Sequence, residues 1–466
     1  MFKVFSHYVP ISMVILLILE MLVLYFSVYA GIELRFYHSP NRELAIQLLG
    51  ALNYKALLFA FLMILSMTAM GLHTRSVVDN HTSMLIRMLL GFALGFFVTV
   101  IVYYVYPDFF LGRGIIAITF AIAYIGILLT RAVHEKIDNH DLFKRRILVL
   151  GTGKKTIILE SLIDKAMKQG YEIIGFVNVN GNEPLISNVN IYNIETTLLD
   201  LCVEHNIDEI VLAMDDRRNQ FPTDGLLECK MNGIIIHDLI TILERVNGHI
   251  DIAAIHPSTI IFSEGFTNAV SMNNIKRVFD VLSCLILLLI ASPLIIITSC
   301  IIWLSSMGRD PILYRQVRVG LSNHPFNVLK FRSMKMDAEK DGAQFAAKND
   351  SRVTKFGQFM RKTRIDELPQ LVNVLKGDMS FIGPRPERPE FVLGFEQSIP
   401  HYSLRHSVKP GITGWAQINY PYGETDEDTK NKLQYDLYYI KNYSLFLDIT
   451  IILQTIQVVL FGQGAR

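Results

Sequence analysis

The sequence predicts three pieces in order: an α-helical membrane bundle of four spans, an α/β domain built on a parallel sheet, and an α/β-type C-terminal domain. The last piece carries a membrane helix that enters and returns on one side. Three observations carry this reading. Four long apolar stretches fill the first third of a 466-residue chain that is 51% apolar. From Arg145 onward, strand-like runs alternate with helix-length segments. A fifth apolar stretch is interrupted in its middle at Ser292-Pro293.

The bundle occupies residues 1–135, with apolar stretches at Val9–Ala30, Tyr54–Leu72, Leu85–Tyr106 and Ile115–Thr130. A helix crossing a hydrocarbon core of ~30 Å needs ~20 mostly apolar residues, and the fourth stretch relies on its flanks to reach that. The first is longer than the apolar run of a signal peptide and starts with a single lysine, so it reads as an anchor. Glu20 falls in mid-span, which suits either a functional acid or a contact between helices, and no chemistry is assigned to it. Lys3, Arg75, Arg87, Lys136, Lys144, Arg145 and Arg146 fall on one side of the bundle, against Arg35, Arg42 and Arg113 on the other. That bias puts both ends of the bundle in the cytoplasm.

Residues 140–260 read as a cytoplasmic α/β domain. "RRILVLGTGKKT" (Arg145–Thr156) is a β-branched run entering a glycine turn and then an amphipathic helix. "YEIIGFVNV" (Tyr171–Val179), "IDEIVLAM" (Ile207–Met214) and "GIIIHDL" (Gly233–Leu239) follow at helix-length intervals, the pattern of a Rossmann-like module. The dinucleotide fingerprint is incomplete. Thr156 stands where its third glycine belongs, and the second strand ends in Asn178 and Asn180 instead of the acid that would hold a ribose. A ligand-free or regulatory module fits these residues better than a working NAD site.

The C-terminal domain, 272–466, opens with the fifth apolar segment, 276–306. Proline inside a helix removes a hydrogen bond and bends the axis, and a serine beside it can take up the freed carbonyl. Basic residues flank both ends: Lys276 and Arg277 before, Arg309, Arg315 and Arg318 after. A full span would carry one basic flank across the membrane. A re-entrant hairpin broken at Ser292 and Pro293 returns both to the cytoplasm. The aromatic tail Tyr435–Phe461 is less apolar and suits a position flat at the interface. The four cysteines, Cys202, Cys229, Cys284 and Cys300, have no metal-ligand spacing and imply no disulfide framework.

Net charge is +1, yet from Met307 to Pro410 there are 18 Lys and Arg against 11 Asp and Glu. That local excess suits an anionic partner such as a phosphate, a nucleotide or a lipid headgroup, or an ordinary solvated basic face. Arg315, Arg318, Lys330 and Arg332 lie in one glycine- and proline-rich stretch, Arg361 precedes an acid pair, and Arg385 sits between prolines. Arginine forks match phosphate oxygens, and rigid glycine loops let backbone N–H groups approach them. The acid pair is Asp366-Glu367 in "RIDELPQL" (Arg364–Leu371). Asp366 is expected to N-cap a short helix with Pro369 in its first turn, the helix end and nearby arginines keeping both acids ionised. An ionised aspartate among phosphate-binding bases is a nucleophile for phosphorus. The adjacent glutamate can hold a divalent cation or take a proton, and Mg²⁺ would offset the repulsion between two anions. Taken alone, the pair also reads as a plain helix cap with a surface acid.

Taken together, the basic flank with Ser292-Pro293, "KFRSM", "DELPQL", "GDMSFIGPRP" and "KPGITGWAQI" resemble the bacterial sugar transferases, the monotopic phosphoglycosyltransferases. The likeness runs from Lys276 to the C-terminus. Four spans, a Rossmann-like module and this domain resemble the large members, the undecaprenyl-phosphate glucose and galactose phosphotransferases of exopolysaccharide assembly. The resemblance implies a bacterial inner-membrane, multi-pass enzyme with its catalytic domain on the cytoplasmic face. Such an enzyme moves a hexose-1-phosphate, glucose-1-phosphate or galactose-1-phosphate first, from a UDP-sugar to undecaprenyl (polyprenyl) phosphate with release of UMP. It implies Asp366 as nucleophile, Glu367 as its Mg²⁺-binding partner, Asp366 and Glu367 together at the metal, and Lys330, Arg361 and Arg385 as phosphate-holding bases. Ser292 and Pro293 match the break of the re-entrant helix. Expected partners are the UDP-sugar, the lipid phosphate, membrane lipids and a second copy in a homodimer, and no nucleic acid.

Two other readings compete. A membrane-anchored NAD-dependent nucleotide-sugar dehydratase or epimerase would also join spans to a Rossmann domain, but the chain has no tyrosine followed four residues later by lysine. A non-catalytic scaffold of a polysaccharide assembly complex would keep the fold without needing the acid pair and its bases.

Overall fold

The computed structural model describes residues 2–4, 7–9, 11–38, 40, 42–43, 47, 49–73, 81–138, 144–160, 162–168, 170–179, 184–186, 190–193, 197–215, 221–252, 265–266, 270–336, 352–421, 423 and 425–461. Arg75 and Asn180, the expected domain limits at 140 and 260, and the chain beyond Phe461 lie outside the described residues. The chain divides into two compact units, one of Met1–Val4 with Tyr8–Ile242 and one of Phe5–His7 with Leu243–Arg466.

In the first unit, α1 (Ile11–Phe36), α2 (Leu52–Ala69), α3 (His81–Val105) and α4 (Arg113–Asp138) are the apolar helices. Each contains a stretch long and apolar enough to cross a membrane. They share a core that includes Leu24, Val28, Phe59, Met63, Phe92 and Ile127. Gly95 lets α3 lie against α2, since a Cβ there would sit 2.5 Å from the Met63 sulfur. Glu20 is fully buried, with Oε2 2.7 Å from His73 Nε2 and Oε1 2.7 Å from Arg131 Nε. The mid-span acid thus makes a contact between helices, tying α1 to the turn after α2 and to α4.

The same unit contains β1 (Arg145–Leu150), α5 (Lys154–Glu160), α6 (Ile163–Lys168), β2 (Tyr171–Asn178), β3 (Ile191–Asn193), α7 (Leu198–Glu204), β4 (Glu209–Leu212), α8 (Thr223–Met231), β5 (Ile235–Asp238) and the start of α9 (Leu239–Asn247). The five strands are parallel in the order β3-β2-β1-β4-β5. β1 is central, and its Ile147–Leu150 run is buried as a two-faced parallel strand requires. Its glycine turn is capped from within the chain. Asp215, just past β4, accepts from the backbone N–H groups of Lys154 (2.7 Å) and Lys155 (3.1 Å). In a complete dinucleotide fingerprint those first helical N–H groups face a pyrophosphate.

The second unit begins in α9: Gly248 and Ile250 pair with Trp415 and Gln434 of the C-terminal region. Its longest element is α10 (Val270–Ser305). The sequence predicts two helices joined at Ser292-Pro293; the structure has one helical element with Pro293 inside it. The Ser292 hydroxyl donates to the Leu289 carbonyl over 2.9 Å. That is the acceptor that Pro293, lacking an N–H, leaves open. Both ends of α10 are tied to the unit. Lys276 Nζ pairs with Asp448 over 2.6 Å, and Arg277 donates to the carbonyls of Val374 and Leu375 over 2.5 and 2.7 Å. Toward the other end, Ile295 and Ile302 pack in a cluster with Phe331, Met360 and Ile365. Between them Leu289 and Ile290 are 77% and 70% exposed, the most open large apolar side chains among the described residues of the helix.

After α10 come an antiparallel hairpin of β6 (Leu313–Val319) and β7 (Pro325–Phe331), α11 (Lys355–Thr363), α12 (Gln370–Lys376), β8 (Ser380–Ile382), α13 (Pro389–Ser398), β9 (Gly411–Thr413), α14 (Trp415–Asn419), α15 (Asp426–Lys441) and α16 (Leu445–Phe461). β8 and β9 pair in parallel. Ile382, Trp415, Leu437, Tyr438 and Leu447 form the core beneath them. α16 buries Leu447 and Ile451 there and leaves Ile449 exposed.

Candidate active site

The acid pair sits on a short 3₁₀ turn, Ile365–Glu367, wedged between two helices. Thr354 caps the start of α11 by accepting from the Gly357 N–H over 2.9 Å. Arg364 ends that helix in the left-handed region at φ 59°, which throws the next three residues inward. Asp366 therefore does not N-cap α12, as the sequence reading had it: the position before that helix is Pro369, at φ −62° and ψ −16°. The proline is helical and carries the chain onward, its missing N–H falling at the junction of two helical segments where little is lost.

Both acids are buried, each 7% exposed. Glu367 Oε1 is 3.0 Å from Lys330 Nζ, 3.0 Å from Arg385 Nη2 and 3.7 Å from Arg364 Nη1. Burial alone would raise the Glu367 carboxyl, but Lys330, Arg385 and Arg364 hold it well below the usual carboxylate range. Asp366 goes the other way: burial first, then the charge of Glu367, pushes its carboxyl up against the pull of Lys330, Arg361 and Arg364. The two acids were expected to share one ionising environment. Three cations on a single Glu367 oxygen separate them instead. Asp366 Oδ1 is buried and has no hydrogen-bond partner among the described residues, an orphan acceptor that a folded chain seldom leaves without purpose.

The expected basic residues divide in two. Lys330, on β7, faces the acids, and Asn373 fixes the strand there by accepting from the Leu329 N–H (3.0 Å) and donating to the Asn327 carbonyl (2.7 Å). Arg361 donates through Nε to the Ser333 hydroxyl over 3.0 Å and lies near enough to Asp366 to pull on its charge. Arg385 joins them from the loop after β8. Arg318 is on the same face of the hairpin as Lys330, but it is turned to Gln316 Oε1 (2.6 Å), the Pro386 carbonyl (3.1 Å) and Glu387 (3.4 Å). Arg332 donates to the Pro311 carbonyl over 3.0 Å. Arg315 is exposed on the opposite face of β6 from the residue paired with Lys330, Tyr314. Ser292 and Pro293 lie within α10, where the Ser292 hydroxyl is engaged by the Leu289 carbonyl.

One loop that the sequence reading treated as a phosphate clamp is itself clamped. Its four consecutive carbonyls each accept from a different donor: Pro384 from Gly411 N (2.9 Å), Arg385 from Arg405 Nη2 (2.9 Å), Pro386 from Arg318 Nη1 (3.1 Å) and Glu387 from Val319 N (2.9 Å). Arg405 is buried, with Nη1 on the Tyr402 hydroxyl at 2.6 Å and Nη2 3.0 Å from buried Asp436. Tyr402 and Asp436 were not singled out from sequence. Asp436 stands in a charged helix where nothing distinguishes it from solvated neighbours.

This geometry defines a class: a membrane-associated domain that gathers cations around paired buried acids. Residues 271–462 match the family described as bacterial sugar transferase. Over 241 residues the chain is 44% identical to the UDP-N-acetylgalactosamine-undecaprenyl-phosphate N-acetylgalactosaminephosphotransferase of Aeromonas hydrophila, covering 52% of this chain and 56% of that one. It is 32% identical over 352 residues to the UDP-glucose:undecaprenyl-phosphate glucose-1-phosphate transferase of Escherichia coli, covering 72% and 73%. It is 44% identical over 196 residues to the undecaprenyl-phosphate glucose phosphotransferase of Komagataeibacter xylinus, covering 41% and 36%. The chain thus spans about half the length of the first of these relatives. It belongs to the bacterial sugar transferase family.

Proposed function

We propose that this protein transfers a sugar-1-phosphate from a UDP-sugar to undecaprenyl phosphate, releasing UMP, through a phosphosugar carried on Asp366. The observation that carries this reading is the split pair: one acid ionised under three cations, the other buried with an unpartnered oxygen. A desolvated carboxylate is a strong nucleophile once an electropositive target approaches. In the first half-reaction an Asp366 oxygen forms a bond to the sugar-bearing β-phosphorus as the bond to the UMP oxygen breaks, and UMP takes that electron pair. In the second, an oxygen of the lipid phosphate attacks the same phosphorus and Asp366 leaves as a free carboxylate. Lys330, Arg361 and Arg385 balance the charge of the transferring phosphate.

A divalent cation fits this donor set in part. Asp366 Oδ1 has no partner, whereas Glu367 Oε1 already faces three cations. Mg²⁺ would therefore be held by Asp366 and the second oxygen of Glu367, with substrate phosphate and water completing its shell. When bound it supplies charge neutralisation between two anions.

The bundle provides four spans and the five-stranded parallel domain is Rossmann-like, its 3-2-1-4-5 order being that of a doubly wound sheet. We infer that α10, a single helical element, bends at Pro293 and returns to the side it entered, in a bacterial inner membrane with the acids on the cytoplasmic face. In support, a straight helix of its 36 residues would run about 54 Å, well beyond a hydrocarbon core of ~30 Å. Both of its ends are tied to one unit and its most exposed apolar residues lie beside the proline. The donor sugar is a hexose or an N-acetylated hexose, since both kinds stand in the names of the relatives, and the working form is a homodimer.

The test is UMP release from a panel of UDP-sugars by detergent-solubilised protein with undecaprenyl phosphate, with and without EDTA. Release with one donor, lost in Asp366→Asn and on chelation, is the expected result. Equal turnover by wild type, Asp366→Asn and Glu367→Gln would remove the nucleophile. No release from any donor by folded protein would move the weight to a non-catalytic scaffold.

A further inference from the structure

Arg405 and Asp436 form a buried ion pair that no step of the proposed transfer uses. Arg405 is 6% exposed and Asp436 2%. Desolvating two charges is costly, and their attraction often only offsets that cost, so a buried pair is poor evidence of added stability. What the pair touches is more informative. Arg405 Nη2 holds Asp436 and also donates to the backbone carbonyl of Arg385, while Nη1 is fixed by the Tyr402 hydroxyl and the guanidinium lies 5.1 Å over the Tyr402 ring. Arg385 is the loop residue whose side chain reaches Glu367. Pro386 has no N–H, so the Arg385 carbonyl is the polar handle of the peptide group that joins them. Arg405 holds the carbonyl at the centre of that loop.

Resting on the reading of the acid pair given above, we propose that Arg405, seated by Asp436 and Tyr402, is a positioning residue: it sets the backbone at Arg385 so that the Arg385 guanidinium meets Glu367. Its action passes through Arg385 and not through substrate. A lysine at 405 keeps the charge near Asp436 but cannot hold Asp436, Tyr402 and the Arg385 carbonyl at once, because it lacks the planar fork. Misplacing a reacting-centre group by about 1 Å can cost on the order of 100-fold in rate.

The experiment is a double-mutant cycle on full-length protein, reading UMP release, with Arg405→Lys, Arg385→Lys and the pair combined. The expected loss for Arg405→Lys is about 10- to 100-fold, divided between kcat and KM as in Arg385→Lys. In the Arg385→Lys background the same substitution should cost less than about twofold, because coupled residues are not additive. Tyr402→Phe, which removes one fixing oxygen and no charge, should give a smaller loss with the same coupling and serves where Arg405→Lys does not fold. Full additivity in the cycle, or wild-type turnover by both variants, overturns the positioning role. An inactive wild type beside folded controls would instead strike the transfer reading itself, so the two failures are distinguishable.

Discussion

The Ser292 hydroxyl bonds to the Leu289 carbonyl, the one acceptor in α10 that Pro293 deprives of its helical donor. In lipid no water replaces that partner, so the serine is what makes the proline tolerable. Ser292→Ala should destabilise the protein by about 0.5–2 kcal/mol, seen as a fall of a few degrees in the thermal midpoint in detergent. Adding Pro293→Ala restores an N–H to the same carbonyl and should recover the midpoint. An unchanged midpoint in the single variant would mean that the carbonyl finds another donor.

The direction of α10 is open to a separate measurement. Ile275, in the second turn of α10, and Met307, just past its end, are 52% and 83% exposed. Cysteines placed there, with exposed Cys300 replaced by serine, should both react with a membrane-impermeant maleimide from the cytoplasmic side in inverted vesicles. Labelling of one from each side would make the helix a span and end the hairpin.

Lys330 is the most enclosed of the three cations on Glu367, its side chain 18% exposed against 30% for Arg385 and 40% for Arg364. A lysine beside a carboxylate would ordinarily titrate high, but here burial, with Arg385 and Arg318 nearby, outweighs Glu367 and moves it down. Lys330→Met keeps the volume and removes the charge, leaving the buried glutamate with one fewer partner. Turnover should fall about 100-fold or more, with the protein still inserted in membranes. Turnover within about threefold of wild type would take Lys330 out of the site.

How much of this was legible from sequence depends on the kind of order involved. Four of the five parallel strands were, because they are written as β-branched runs, whereas the short edge strand β3, Ile191–Asn193, is too brief to announce itself. The Ser292–Leu289 bond was, because it is local. The helix-cap role given to Asp366 was not, since it hung on the left-handed conformation of Arg364, which packing of α11 decides and no residue type announces. Arg315 could have been separated from Arg318 in advance, since the two stand three residues apart and an odd spacing on a strand means opposite faces; setting it apart from Lys330 needed the register of the hairpin. The Arg405–Asp436 pair joins residues 31 apart through a tertiary contact, and pattern within a segment carries no trace of it.

In the α/β domain, Asp215 holds two N–H groups at the start of α5. Asp215→Ala should lower stability by about 1–2 kcal/mol without altering UMP release by the C-terminal unit. Gly153→Ala should act in the same direction, since a Cβ there would overlap the Asp215 carboxylate. A loss of transfer larger than the loss of folded protein would instead tie this turn to the reaction.

Two buried groups near the Arg385 loop respond to acid in opposite senses. Asp436 is pushed up to about 6 by burial, against the pull of Arg405. Its folded form binds a proton more tightly than the unfolded chain, whose aspartates titrate near ~3.9. Its contribution to stability is therefore greatest below that range and is lost as pH rises toward about 6. His406 is pushed down to about 4 by burial and by the charge of Arg405. The unfolded histidine takes a proton near ~6.5, so the His406 contribution is present above that and is lost as pH falls through the same interval. In the wild type the two slopes oppose each other. Asp436→Asn removes the falling one, and the midpoint of that variant relative to wild type should improve steadily from pH 4.5 to 6.5. His406→Gln removes the rising one and should improve relative to wild type in the reverse direction, toward acid. Parallel midpoint curves for the three proteins across this range would mean that neither group changes its proton affinity on folding, and would leave the Arg405–Asp436 pair without its desolvated character.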